Sequence, residues 1–250
     1  MLATSNRQLV KAIAFSVLLL SSSLAAAYDL AIMPVRSKVL TEKLYQPLAD
    51  YLAKATGKPI KLKAYNNFVN YWQDMRDGKF QLALDAAHFV DYRVKQQQHQ
   101  VLVKLRDQVS FSLVSTEDES IIEASELIGK PIAALPPPSR GNLEIDNFFK
   151  NPIRQPRKVE VKSYEEGVEL LRTGKVKAAM LPTPMLNAYP NLMVIAGTEL
   201  WPHMAVTSSP EIPTEVKSGI ARALLGMSKD KLGTAILESS GLNQGFEPAD

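Results

Sequence analysis

Apolar residues recur along this chain in two alternating patterns. Short apolar-rich runs, such as residues 28–33 and 60–64, predict buried strands. Between them, residues 40–52 carry a leucine at every fourth position, which predicts a helix with one apolar face that ends at Gly57. The alternation continues towards the C-terminus. Strands that alternate with helices predict an α/β fold.

An internal repeat at a spacing of 96 residues is the most informative feature of this pattern. Residues 68–83 and 164–179 share a helical stretch, an Arg-x-Gly-Lys turn and a short apolar run. Gly78 and Gly174 hold the same place in each copy, where a left-handed residue ends a helix. Two copies are too few for a solenoid, which needs at least about three repeats, so they predict two similar lobes. The alternative is coincidence, because helix–glycine–strand junctions are common.

The order of the predicted elements gives boundaries for these lobes. A strand at residues 109–115 is expected to cross to the second lobe, and the stretch 192–207 to bring the chain back. We therefore expect residues 28–108 and 204–250 to form lobe 1, and residues 109–203 to form lobe 2. Each lobe is expected to be a mixed sheet flanked by helices, with a ligand cleft between the lobes.

The N-terminus has the pattern of a cleavable secretory signal peptide. Arg7 and Lys11 precede an apolar run at residues 12–20, and three alanines end the segment at residues 25–27. A basic start, a short apolar core and an Ala-x-Ala end predict cleavage after residue 27. The mature protein is therefore expected in the periplasm. A retained signal anchor is the alternative.

Charge and composition exclude several classes of protein. Without the two basic residues of the leader, 27 basic side chains face 26 acidic ones, and this balance gives no reason to expect nucleic acid as a partner. The absence of cysteine excludes disulfides, thiolate metal sites and cysteine nucleophiles. The three histidines are widely spaced, so no metal or other cofactor is predicted. Among them, His99 stands in a glutamine-rich run and is interpreted as solvated.

Residues 136–142 form the sharpest candidate ligand contact. Three prolines end a predicted strand there and a helix follows, and ligands of open α/β sheets bind beyond the carboxyl ends of strands. The first N–H groups of a helix are unpaired and favour an anion. Ser139 adds a hydroxyl, Arg140 can clamp two oxygens, and Gly141 permits close approach. Asn142 completes the set, and the alternative is an ordinary Ser or Asn helix cap beside a solvated arginine.

Five further candidates follow other predicted strands, and each has a structural alternative. Arg36 offers a second positive group or is a surface arginine. Asp85 recognises an ammonium group or orients a neighbour, and His88 donates to a ligand or to the protein. Phe89 walls the pocket or packs in the core, and Thr183 offers a hydroxyl between two prolines.

Four stretches support a resemblance to a known family that covers nearly all of the mature chain. They are residues 48–52 with 56–57, 68–84, 127–133 and 241–250. In these stretches the chain resembles the phosphate/phosphite/phosphonate family of periplasmic substrate-binding proteins of ABC transporters. The resemblance implies a type 2 periplasmic-binding fold, a small anionic ligand trapped by hinge closure, an ABC permease or membrane sensor as partner, and a monomer.

Two positions depart from that family. Its phosphonate binders typically carry Ser-Thr-Ser-Gly before the helix of the second lobe, whereas residues 138–141 are Pro-Ser-Arg-Gly. One hydroxyl therefore remains and an arginine is added. A tyrosine that is typical after the third strand is Phe89 here, without the hydroxyl. An anion is still expected, and a carboxylate or sulfonate fits as well as a phosphonate.

Three functions compete at this point. Solute capture for an ABC importer is the first, and a ligand sensor that docks on a membrane receptor needs the same cleft. A dehydratase-like enzyme on this scaffold would need a general acid or base beside the ligand. Asp85 and His88 are the only candidates for that role in the predicted cleft. We therefore expect an extracytoplasmic solute-binding protein rather than an enzyme.

Overall fold

A computed structural model describes residues 27–249 of the chain, so the predicted signal peptide lies outside the described residues except for Ala27. The strands are β1 (Tyr28–Ile32), β2 (Ile60–Lys63), β3 (Leu82–Ala86), β4 (Gln100–Leu105), β5 (Gln108–Val109), β6 (Phe111–Thr116), β7 (Pro131–Ala134), β8 (Arg157–Glu160), β9 (Ala178–Pro182), β10 (Leu192–Gly197), β11 (Trp201–Pro202), β12 (Met204–Ser208) and β13 (Phe246–Pro248). The α-helices are α1 (Lys38–Thr56), α2 (Phe68–Arg76), α3 (Ala87–Gln97), α4 (Arg140–Phe148), α5 (Tyr164–Arg172), α6 (Thr214–Gly226) and α7 (Lys231–Ser240). Short 3-10 helices lie at Glu117–Glu119, Ala124–Leu127, Thr183–Ala188 and Met227–Lys229.

Two mixed sheets organise these elements. The first has the strand order β13-β4-β12-β3-β1-β2, and the second has the order β10-β6-β9-β7-β8. In the first sheet β1 pairs in parallel with β2 and β3, and in the second β7 pairs in parallel with β8 and β9. An antiparallel strand then follows in each, β12 beside β3 and β6 beside β9. The repeat found in the sequence is thus present as two units of the same strand order.

Local sequence explains why both copies of the repeat fold alike. Asn67 is the N-cap residue of α2, and Ser163 is the N-cap residue of α5. Each of these side chains accepts a hydrogen bond from the backbone N–H three residues further along the chain. Each helix is followed by a glycine with positive φ, +66° at Gly78 and +70° at Gly174. A left-handed residue turns the chain out of the helix at little cost only when it is glycine. The strands that follow, β3 and β9, are buried at the centre of their sheets.

The chain passes between the two sheets on a pair of short antiparallel strands. Strand β5 pairs with β11, with Val109 opposite Trp201 and Gln108 opposite Pro202. Strand β5 leads from β4 of the first sheet to β6 of the second, and β11 leads back from β10 to β12. No helix of the described residues is both long and apolar enough to cross a membrane.

His99 is buried, and its interpretation as a solvated residue is wrong. Only 6% of the residue is exposed, and Nδ1 lies 3.3 Å from Thr207 Oγ1. Burial, together with the positive charges of Arg93 and Lys217, lowers the pKa of His99 to about 4. The polar glutamines around His99 suggest an exposed position. The chain, however, turns at Gln98 in a left-handed conformation, and His99 follows this turn directly before β4 enters the sheet.

We expect the pKa of His99 to make the protein sensitive to acid. The pKa of this histidine is about 6.5 when unperturbed, so the unfolded chain binds the proton more readily than the folded one. Stability present above about pH 6.5 should therefore be lost as the pH falls towards 4, by roughly 2–3 kcal/mol. Urea unfolding at pH 7 and pH 4.5 measures this loss. An equal loss in the wild type and in His99→Gln would contradict the assignment.

Candidate ligand-binding site

A cavity of about 190 Å³ lies where the carboxyl ends of β1, β3 and β9 meet the connecting strands β5 and β11. Segments that follow strands of both sheets contribute to its wall, as the strand-end rule predicts for an α/β protein. Most of the wall is apolar. The apolar side chains that line it are Met33, Val35, Ala86, Ala87, Val109, Phe111, Pro182, Pro184, Met185, Pro202, Met204 and Leu242.

Three of the nine residues predicted from the sequence line this cavity, namely Arg36, His88 and Arg140. Their roles towards a ligand stay a prediction. The remaining six lie behind the wall or beside it, namely Asp85, Phe89, Ser139, Gly141, Asn142 and Thr183.

Arg140 is the first residue of α4 and stacks on an aromatic ring. Its guanidinium carbon lies 3.5 Å from the centre of the Trp201 ring, and its terminal nitrogen forms an ion pair with Glu144 one turn along the helix. Stacking on tryptophan and pairing with a carboxylate both fix the guanidinium plane. Within residues 27–249, neither Arg140 Nε nor Trp201 Nε1 has a hydrogen-bond partner, and both nitrogens are buried. Two N–H donors that belong to residues of the cavity wall are therefore left without acceptors in this part of the chain.

Arg36 reaches across the cavity to the start of α5. Its Nη1 lies 2.9 Å from Glu165 Oε1, and both side chains are about one-third exposed, at 32% and 31%. Beside this pair, the Tyr164 N–H donates to the Val35 carbonyl over 3.3 Å. These contacts join a loop that follows the first sheet to a helix that flanks the second. The charge of Arg36 is thereby compensated by the protein itself.

His88 forms another contact between segments that follow different sheets. Its Nε2 lies 2.9 Å from the backbone oxygen of Pro138. A carbonyl only accepts, so Nε2 carries the proton of this contact. Burial lowers the pKa of His88; the Pro138 carbonyl opposes that shift, and the positive charge of Arg140 adds to it. His88 is therefore a neutral imidazole whose N–H is already used by the protein.

Asp85 lies inside β3 rather than beyond it, and is fully buried. Arg93 Nε is 2.6 Å from its Oδ2, and the Tyr71 hydroxyl donates to its Oδ1. Burial raises the pKa of Asp85 and the adjacent Arg93 charge opposes the rise. These contacts match the structural alternative, in which the carboxylate orients a neighbour.

Phe89 packs in an aromatic cluster beneath the cavity. It is 1% exposed, and its ring centre lies 6.0 Å from that of Phe68 and 5.9 Å from those of Tyr71 and Trp72. The ring of His88 is closer, at 4.2 Å. Phe89 thus supports a cavity residue instead of touching the cavity.

Ser139 occupies the N-cap position of α4 but does not cap it. Its hydroxyl donates to the Leu135 carbonyl over 3.0 Å, and the side chain accepts nothing from the first N–H groups of the helix. The Asn142 amide donates to the same carbonyl over 2.9 Å, and Lys158 Nζ lies 2.8 Å from its oxygen. The interpretation as an ordinary Ser or Asn cap therefore does not hold, and α4 begins without a side-chain acceptor.

Gly141 and Thr183 have packing roles in the structure. A Cβ on Gly141 would lie 3.1 Å from the side chain of Met180, so the first turn of α4 approaches β9 closely. Thr183 Oγ1 lies 2.9 Å from the hydroxyls of both Ser110 and Ser112. This hydroxyl ties the end of β9 to β6 and is occupied within the protein.

The sequence-based candidates include only a few of the residues that line the cavity, and they leave out Trp201 and Glu165. Trp201 lines the cavity from β11, and Glu165 pairs with Arg36 from α5. Neither follows a strand of the kind that the strand-end rule selects. The one available clue was the Trp201-Pro202 pair at the predicted return crossing, since a rare large aromatic residue beside a hinge can serve a ligand.

The sequence of the chain matches one protein family over most of its length. A family profile described as "ABC transporter, phosphonate, periplasmic substrate-binding protein" matches residues 30–250. The chain belongs to this family. No curated protein matches it in sequence. Family membership confirms the resemblance stated above and the solute-binding role, and implies an extracytoplasmic location, a small-molecule ligand and a permease partner.

Solved structures show the same fold at low identity. PhnD1 from Prochlorococcus marinus, solved with methylphosphonate, is 13% identical with a TM-score of 0.79, over 90% of this chain and 93% of that one. A binding protein of an ABC phosphonate transporter from Pseudomonas aeruginosa is 14% identical with a TM-score of 0.79, over 90% and 82%. A Xanthomonas citri protein bound to ATP is 13% identical with a TM-score of 0.71, over 90% and 91%. The two-lobed α/β fold predicted from the sequence is confirmed.

Proposed function

We propose that this family member captures a small anion in the cavity between its sheets, with Arg140 as the principal charged contact. The observation that carries the proposal is the buried Nε of Arg140, which lacks a hydrogen-bond partner within residues 27–249 although the residue lines the cavity. A buried N–H without an acceptor costs about 1–3 kcal/mol, which an oxyanion would offset. The start of α4, which no side chain caps, adds positive potential at the same wall.

The lobes are proposed to close over this anion about the strands β5 and β11. The boundaries would be those expected from the sequence, residues 28–108 with 204–250 and residues 109–203, and the membership of the two sheets supports them. His88 with Pro138, and Arg36 with Glu165, would act as contacts of the closed form, since each pair joins segments that follow different sheets.

Residues 1–27 are proposed to be a signal peptide that is cleaved on export to the periplasm, where the mature chain acts as a monomer. No nucleic acid is expected as a partner. We propose no catalysis, because Asp85 is buried against Arg93 and the N–H of His88 donates to Pro138, so neither of the predicted candidates offers a proton to a ligand in its present contacts.

The proposal is tested with the mature protein purified from the periplasm. Native mass spectrometry would reveal a co-purified ligand, and thermal-shift titration with phosphate, methylphosphonate, acetate and methanesulfonate would rank oxyanions. An anion that binds only the folded state should raise the Tm with concentration. The matched cation methylammonium should not. Stabilisation by methylammonium and by none of the anions would overturn the proposal while leaving the binding fold intact.

A further inference from the structure

The cavity is large and apolar for a site that binds an inorganic oxyanion. Its volume is about 190 Å³, and twelve of the side chains that line it are apolar. An apolar cavity of about 150 Å³ in another protein stays dry and takes up benzene, so this space suits a ring-sized body. An oxyanion without such a body would leave most of the apolar wall uncovered, and would forgo the free energy of burying it.

Every basic side chain on the wall already has a partner inside the protein. The two arginines face carboxylates at close range, and the histidines face an aspartate and a carbonyl. The pairs are Arg36 with Glu165, Arg140 with Glu144, His203 with Asp107, and His88 with the Pro138 oxygen. The fixed charges of the wall are therefore close to balanced. A dianion would bring two uncompensated negative charges into a largely apolar space, whereas a monoanion would bring one and cost less.

Two N–H donors of wall residues remain for a ligand to pair with. Arg140 Nε and Trp201 Nε1 are buried without hydrogen-bond partners in the described part of the chain, and the two side chains are stacked on each other. A carboxylate or sulfonate carries one negative charge and has at least two acceptor oxygens, one for each of the two donors. Both donors belong to residues of a wall that is otherwise mostly apolar.

From these observations we infer that the ligand is an organic monoanion, with a carboxylate or sulfonate head at Arg140 and Trp201 and an apolar, ring-sized body against the opposite wall. This inference rests on the proposed anion-binding function and deepens it. Met185 is one of the apolar residues that line the cavity, and Trp201 supplies both a donor and an aromatic face.

Isothermal titration of the mature protein with matched probes tests the inference. Benzoate and benzenesulfonate supply the ring with one charge, methylphosphonate and phosphate supply charge without a ring, and benzamide supplies the ring without charge. At least one of the two aryl anions should bind ten times more tightly than methylphosphonate or more. Binding of methylphosphonate or phosphate as tight as that of the aryl anions would overturn the inferred class and leave the anion-binding function standing.

Variants separate the ring contact from the head contact. Met185→Asn should weaken benzoate binding about tenfold and leave methylphosphonate unchanged, whereas the matched Met193→Asn on the 42%-exposed Met193 of β10 should change neither. Trp201→Phe keeps an aromatic face for Arg140 and removes one donor, so it should weaken both benzoate and benzenesulfonate. Circular dichroism verifies that each variant is folded. Unchanged benzoate binding in Met185→Asn and Trp201→Phe would contradict the inferred pose.

The neutral probe distinguishes failure of the inference from failure of the proposed function. If benzamide binds as tightly as benzoate, the site does not select an anion, and both proposals fall. If no aryl probe binds at millimolar concentration while an inorganic oxyanion does, only the inferred ligand class falls.

Discussion

Replacing Arg93 with methionine should lower the free energy of unfolding by about 3–5 kcal/mol, because it leaves a carboxylate buried without its counter-charge. Asp85 and Arg93 are both fully buried, with 0% of either side chain exposed. Methionine fills most of the apolar volume of the arginine stem, so the loss measures the charge and its hydrogen bonds rather than a cavity.

The partners of this ion pair explain why the loss is large. Arg93 also lies 4.2 Å from the ring centre of Phe80 and within hydrogen-bond distance of the Tyr71 hydroxyl, at 3.4 Å. The pair thereby ties α3 to the central strand β3 and to α2, below the wall of the cavity. Urea unfolding monitored by circular dichroism gives the free energy of unfolding.

The same helix offers a matched control. Lys95 pairs with Asp91 on the surface of α3, with side chains 66% and 59% exposed. Lys95→Met should cost less than about 0.5 kcal/mol, because water screens an exposed pair of this kind. The double variant Arg93→Met with Asp85→Leu should recover much of the stability lost in Arg93→Met, because no lone charge remains. Equal losses of unfolding free energy in Arg93→Met and Lys95→Met would show that the buried ion pair contributes no more to stability than the exposed one.

Features encoded by local sequence were predicted correctly. The caps and glycines of the repeat act within one turn of the chain, so residues 68–83 and 164–179 were recognised as equivalent helix–strand units. Such features need no knowledge of how distant segments pack.

The contacts of the site depend on distant packing, and the sequence could not reveal them. Arg36 and Glu165 are 129 positions apart, and Arg140 meets Trp201 only because β11 returns beside β5. The strand-end rule selected Asp85, but it cannot tell a strand's last inward residue from the loop beyond it. The strand-end rule therefore identified side chains near the end of a strand, but it did not predict the direction in which they point.

Removing the charge of Arg140 should have the largest effect on ligand binding. Truncating one member of a buried, hydrogen-bonded charge pair at an interface costs about 2–5 kcal/mol, which corresponds to a thirtyfold to several-thousandfold rise in Kd. Arg140→Ala alone would also leave the Glu144 carboxylate, which is only 4% exposed, without its counter-charge. The resulting loss of stability could then not be separated from the loss of ligand binding. The informative variant is therefore Arg140→Ala combined with Glu144→Gln.

Glu144→Gln by itself should act in the opposite direction. It removes the carboxylate that competes for the guanidinium, so the positive charge of Arg140 becomes available and Kd should fall several-fold. The control is Arg154→Ala, an exposed arginine outside the cavity, for which Kd should not change. Isothermal titration with benzenesulfonate or methylphosphonate, whichever binds the wild type more tightly, measures all three. An unchanged Kd in both Glu144→Gln and the double variant would mean that the ion pair only supports the start of α4 and that the anion is bound elsewhere on the wall. Opposite shifts in the two variants are expected only if the ligand and Glu144 share the same guanidinium.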